Sequence, residues 1–201
     1  MTSLFDLGIV NAICVAITAY LLGSIPFGIV LARLMGLGDL RDIGSGNIGA
    51  TNVLRTGNKL AAFLTLVFDA GKGAVAVLVA RLMFDETAAQ IAALASFVGH
   101  CYPIWLNFKG GKGVATFLGI LLALFWPAGV AACLTWLITA VVGRISSLSA
   151  LVASASSILW VAILGMPSAV LLMVILATLI WWRHSENIAR IRAGTESKIG
   201  Q

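Results

Sequence analysis

Of 201 residues, 60% are hydrophobic and only 10% charged, with a mean hydropathy of +1.04, whereas soluble domains carry roughly a quarter of their residues as charges. A water-soluble globular domain is excluded and an integral membrane protein is implied. The net charge of +5 does not signal nucleic acid, because most of the cations flank apolar segments instead of forming runs, the pattern set by membrane topology.

Apolar stretches run over residues 9–32, 61–82, 88–107, 114–143 and 148–182. A hydrocarbon core about 30 Å thick takes about 20 helical residues, so the first three read as single spans. The first stays as a span and not as a cleaved leader, since no cation precedes Arg33 and the only earlier charge is Asp6. The last two are too long for one crossing. Trp126-Pro127 interrupts the fourth and Gly165-Met166-Pro167 the fifth, so each reads as a hairpin of two shorter helices. The expected fold is an all-α polytopic helix bundle of about seven spans, or five if neither stretch breaks, and a single domain over 1–201.

An odd count puts the two ends on opposite sides of the membrane. With the C-terminus cytoplasmic, that side collects Arg33, Arg41, Arg55, Lys59, Lys109, Lys112, Arg144, Arg183, Arg190, Arg192 and Lys198, and the outside holds only Arg81. The bias predicts N-terminus out and C-terminus in; with five spans Arg144 would move outside. The three cysteines, Cys14, Cys101 and Cys133, lack the paired spacing of a zinc site, and neither metal nor cofactor is expected.

On this reading the polar clusters all fall on the cytoplasmic side, where they are expected to converge on one site. In "GSGNIGATNVLR", residues 44–55, glycines alternate with Ser45, Asn47, Thr51 and Asn52 and the run closes on Arg55. Such a stretch offers N–H groups and hydroxyls to an anionic oxygen, with a guanidinium as a bidentate clamp. In "FKGGKG" Lys109 and Lys112 bracket Gly110 and Gly111. A nucleotide P-loop does not fit, because Gly113 follows Lys112 where Ser or Thr is needed and Leu106 stands in the place of the first glycine.

Three further features accompany the loops. His100, in "GHCYP", reads first as a hydrogen-bonded structural residue that braces the lysine loop. Asp69 and Lys72 lie three apart on one face of the second span and must face the protein interior and pair, either as a structural ion pair or to hold an anionic ligand. In "HSENIAR" a helix puts His184, Asn187 and Ile188 on one face and Glu186 with Arg190 at i,i+4 on another.

Taken together, residues 45–55, 99–116 and 184–190 carry patterns of the form SGNxGATNxxR, GHxxPxxxxFKGGKGVAT and HxENIxR. In these the chain resembles the bacterial acyl-phosphate:glycerol-3-phosphate acyltransferases, integral membrane enzymes of phospholipid synthesis. The resemblance implies transfer of a fatty acyl group from acyl phosphate to glycerol 3-phosphate, giving lysophosphatidic acid and inorganic phosphate at the cytoplasmic face of a bacterial inner membrane. Matched by position, Ser45, Arg55, Lys112, His184 and Asn187 are the expected catalytic set. Gly46, Asn47, Gly49, Thr51, Asn52, Lys109, Gly110 and Gly111 are expected around the phosphates, and Asp69, Lys72, His100, Glu186 and Arg190 in support. The residues themselves leave two other readings: an anion transporter built around Asp69 and Lys72, which would need a site open to both faces, and a scaffold for anionic lipid, which leaves the glycines unexplained.

Overall fold

The computed structural model describes residues 7–199; residues 1–6, Asp6 among them, and 200–201 lie outside the described residues. Every regular element among the described residues is helical. The chain divides into two compact units, Met1–Leu124 and Phe125–Gln201.

In the first unit, α1 (Ile9–Gly23) and α2 (Phe27–Leu34) form one apolar run broken at Ser24-Ile25-Pro26, since Pro26 has no N–H to continue the ladder and crowds the preceding turn. A five-residue α3 (Ala50–Leu54) closes the loop that follows. Then come α4 (Lys59–Met83), capped by the Asn58 side chain on the Ala61 amide at 3.0 Å, and α5 (Glu86–Cys101), capped by Asp85 on the Ala88 amide at 2.8 Å. Helix α5 stops ahead of Pro103, and the unit ends with α6 (Val114–Leu124).

The lateral pattern inverts that of a soluble protein. Along α4 the exposed side chains include Phe63, Leu66, Phe68, Val75, Leu78 and Leu82, while Ala61, Ala62, Thr65, Gly73, Ala76 and Ala80 are buried. In lipid the large apolar groups gain nothing by turning inward, and helices associate by close approach of small residues. A Cβ at Gly23 would strike the backbone of Ser96, one at Gly99 the carbonyl of Tyr20, and one at Gly119 the carbonyl of Ala70. These contacts set α1 on α5 and α4 on α6. Arg81 fixes the far end of α6: Nη1 and Nη2 donate to the carbonyls of Ala123 and Leu124 at 2.7 Å each, while Nε and Nη2 hold Glu86, so orphan carbonyls of a helix end find a donor.

The second unit contains α7 (Trp126–Gly143), α8 (Ser146–Leu164), α9 (Val170–Arg183) and α10 (Ser185–Arg192). The long apolar stretches break where proline and glycine stand: α6 ends at Leu124 and α7 starts with Pro127 in its first turn, and α8 ends on Gly165 at φ +113°. Ser149, Ser154 and Ser157 are buried on α8 and return their hydroxyls to carbonyls of the preceding turn. Among the described residues five helical segments are long and apolar enough to cross a membrane, and α9 with α10, bent by 63° at His184, makes a sixth candidate.

Candidate active site

The first unit brings two of the polar clusters together. The first loop is folded from within by Asn52, only 2% exposed, whose Oδ1 accepts from the Ser45 amide at 3.1 Å and lies 3.4 Å from the Ser45 hydroxyl, while its Nδ2 donates to the carbonyl of Leu40 at 2.8 Å. Gly44 and Gly46 turn the chain at φ +54° and +66°, values a side chain resists. The Arg55 side chain folds back over Gly44 and occupies the place a Cβ there would take. Ser45, Thr51 and Arg55 are exposed, and Asn47 and Gly49 half-buried.

The second loop is built on the end of α5. Gly110 donates its N–H to the carbonyl of Cys101 and Gly111 to that of His100, both at 3.1 Å. The chain reaches them through Asn107 and Phe108, both left-handed at φ 51° and 60°, a costly conformation for a phenylalanine that is held by the Phe108 amide on the Pro103 carbonyl at 3.0 Å. A Cβ at residue 111 would enter the His100 ring, and one at residue 113 the Phe97 ring. The glycines of "FKGGKG" are therefore there for close packing against α5. Lys109 is exposed and Lys112 half-buried, with α6 starting at Val114 directly behind, so its positive N-terminal end adds to the lysine charge.

Arg41 joins the two loops: its Nη2 donates to the carbonyl of Lys109 at 2.7 Å. Sequence reasoning counted Arg41 only as a topology cation. The N–H groups of Gly46, Gly110 and Gly111, which the sequence offers to a phosphate, go to the carbonyls of Ile43, Cys101 and His100. Around this pair of loops the charge is carried by side chains.

Deeper in the unit, Lys72 Nζ lies 3.1 Å from Asp69 Oδ1, and His100 Nδ1 lies 3.7 Å from the same oxygen, all three residues being buried. The expected pairing of Asp69 with Lys72 is present, and His100 closes it toward the second loop.

In the second unit His184 and Asn187 are buried at the bend where α9 passes into α10. His184 Nδ1 sits 2.8 Å from the Ile180 carbonyl; a carbonyl only accepts, so Nδ1 carries a hydrogen and donates. Asn187 donates its amide to Glu196 Oε1, which also accepts from the Ser147 hydroxyl at 2.7 Å, and Arg190 Nε donates to Glu196 Oε2 at 2.6 Å. The Glu186–Arg190 pair expected from the i,i+4 spacing is present at 3.9 Å with Glu186 almost fully exposed; exposed pairs of this kind contribute little, and Glu196 is the acid that holds Arg190.

Glu196 was not singled out in the sequence, where it is one acid in a short tail after α10. Gly194 at φ +69° turns the chain so that it returns along the helix, and the Ile199 amide donates to the Arg144 carbonyl at 2.7 Å. Burial raises the Glu196 carboxyl, but the hydrogen bonds from Asn187, Ser147 and Arg190 outweigh it and hold it below the ordinary value of 4.5. A lowered folded-state value stabilises the tail fully above the unfolded value and loses that stabilisation as the pH falls through the folded one. Hydrogen exchange in residues 184–199 is expected to quicken as the pH drops below 4.5, after correction for intrinsic rates. Glu196→Gln should remove that dependence and weaken the latch by about 1.5 to 3 kcal/mol at neutral pH; a flat profile in both proteins would contradict the assignment.

What the fold and these loops define is an integral membrane protein of helices whose first unit gathers cationic, glycine-bearing loops suited to a phosphate. The family model for glycerol-3-phosphate acyltransferase matches residues 13–194. Proteins described as glycerol-3-phosphate acyltransferase are 68% identical to the chain in Jannaschia sp. (strain CCS1), over 92% of each chain, and 64% identical in Ruegeria pomeroyi, over 98% of this chain and 97% of the relative. Crystal structures of PlsY, an integral membrane glycerol 3-phosphate acyltransferase, superpose with TM-scores of 0.90 for the glycerol 3-phosphate form and 0.88 for the lysophosphatidic acid form, at 40% and 39% identity, covering 94% of this chain and 96% of theirs. The chain belongs to the glycerol-3-phosphate acyltransferase family, and it is an acyltransferase.

Proposed function

We propose that the acyl donor is acyl phosphate, that the acceptor is glycerol 3-phosphate, and that the products are lysophosphatidic acid and inorganic phosphate. The observation that carries this reading is the Arg41 bond to the Lys109 carbonyl, which ties the loop bearing Ser45 and Arg55 to the loop bearing Lys109 and Lys112. Both substrates present phosphate, and one of them an acyl chain that belongs in lipid. The whole chain, 1–201, acts as one catalytic domain in a bacterial inner membrane. Counting the short α6 with the six longer candidates gives seven spans, and the positive-inside bias then puts the loops, and the reaction, at the cytoplasmic face.

The acceptor hydroxyl oxygen attacks the carbonyl carbon of the acyl phosphate, the new ester bond forms, and the bond to the phosphate oxygen breaks with its electron pair leaving on phosphate. Lys112 and Arg55 stabilise that growing charge. Ser45, Asn47, Thr51 and Lys109 position the phosphates, while Gly46, Gly49, Gly110 and Gly111 shape the loops and Asn52 holds the first one closed. His184 and Asn187, matched by position with the HxENIxR pattern, are assigned to the same transfer, with Asn187 held by Glu196.

No histidine is followed by aspartate at the fifth residue, where Ala189 and Trp105 stand, so the proton of the hydroxyl goes to a substrate phosphate, dianionic at neutral pH because its second pKa is about 6. Purified protein in detergent, given palmitoyl phosphate, is expected to release phosphate only when glycerol 3-phosphate is added, with matching lysophosphatidic acid by mass spectrometry. Folded protein that releases none would overturn the donor assignment.

A further inference from the structure

We infer that Asp69, Lys72 and His100 are positioning residues which form one buried polar link and set both loops of the first unit together. The link starts at the α1–α2 break, where Lys72 Nζ donates to the Ile25 carbonyl at 2.7 Å and lies 5.8 Å from the centre of the Phe27 ring. Helix α2 leaves that break with Gly28 laid directly on the carbonyl of Ile48, inside the first loop. The placement of Ile25 therefore decides where the first loop sits.

From Lys72 the link passes to Asp69 and on to His100, which faces the same carboxylate oxygen. His100 then meets the second loop twice: its carbonyl accepts from Gly111 at 3.1 Å, and its ring edge fills the space beside Gly111. Three apolar side chains would occupy this volume without the cost of desolvating charge in a membrane span. What they would lack is direction, since here each polar group ends on a named carbonyl or ring of the next segment. Arg41 ties the loops at the surface, and this link ties them from below.

Only the kinetic arm of the test rests on the acyltransferase reading. The double variant Asp69→Asn with Lys72→Met removes both charges at once, so neither is left buried and alone. Hydrogen exchange without substrate is expected to quicken about tenfold in peptides covering both 41–55 and 108–113 while α7 and α8 keep their protection. The KM for glycerol 3-phosphate should rise about tenfold with kcat within about threefold.

Should the double variant lose protection everywhere, His100→Gln keeps both charges and is expected to loosen the same two peptides. Exchange that quickens in one loop alone, or in neither, overturns the inference. Wild-type protein without acceptor-dependent phosphate release would remove the acyltransferase reading and leave the exchange result to decide the link.

Discussion

Lys112→Ala is expected to lower kcat/KM for acyl transfer by about 30- to 900-fold, a loss of roughly 2 to 4 kcal/mol of transition-state stabilisation. The side chain is half-buried at the start of α6, so its charge is not diluted as a surface lysine's would be. On the proposed mechanism, the phosphate leaving the acyl carbonyl gains negative charge where that ammonium and the helix end are both positive. Lys112→Arg should recover only part of the rate, because a planar fork cannot take the position of a compact ammonium on a flexible stem. Arg55→Ala belongs to the same class of effect. Acceptor-dependent phosphate release, compared at matched thermal stability, measures it, and near-normal turnover in Lys112→Ala would remove this lysine from the mechanism.

Gly111→Ala is expected to cost about 10²-fold in kcat/KM without adding or removing any charge. The new Cβ would enter the His100 ring, with Cε1 and Cδ2 at 3.0 and 3.2 Å. His100 is 5% exposed and faces Asp69, so it cannot swing clear, and the loop carrying Lys112 must move instead. Gly71→Ala provides the contrast. It lies in α4 with open space around it, and alanine there is expected to leave activity unchanged and to stabilise the helix by up to about 1 kcal/mol. Equal activity in the two variants would show that the second loop tolerates displacement and that its glycines matter for something other than packing.

The membrane class, the helical build and the breaks at Pro127 and at Gly165 were legible in the chain; the break at Ser24-Ile25-Pro26, inside a stretch that reads as one span, was not. The legible properties depend on local composition: length and apolarity decide what enters lipid, and Pro127 and Gly165 stand where helices start and stop. The loops with Ser45, Arg55 and Lys112 could be picked out for the same reason, since glycine and cations are conspicuous against an apolar background. The Asp69–Lys72 pair followed from spacing alone, because i,i+3 residues on a helix meet whatever surrounds them.

Long-range partners were not legible. Arg41 reaches the Lys109 carbonyl across 68 positions and Lys72 the Ile25 carbonyl across 47; a backbone carbonyl leaves no mark in a sequence, so only the folded chain shows which cation goes to which turn. Glu196 joins Asn187, Ser147 and Arg190 because Gly194 reverses the tail, and the spacing of these residues carries no period from which that could be read. The glycine amides show the same limit most clearly. The sequence reads the backbone of "FKGGKG" as meeting an anion, and the tertiary structure instead sends the Gly110 and Gly111 amides to the end of α5, because backbone N–H groups take the nearest carbonyl that packing provides.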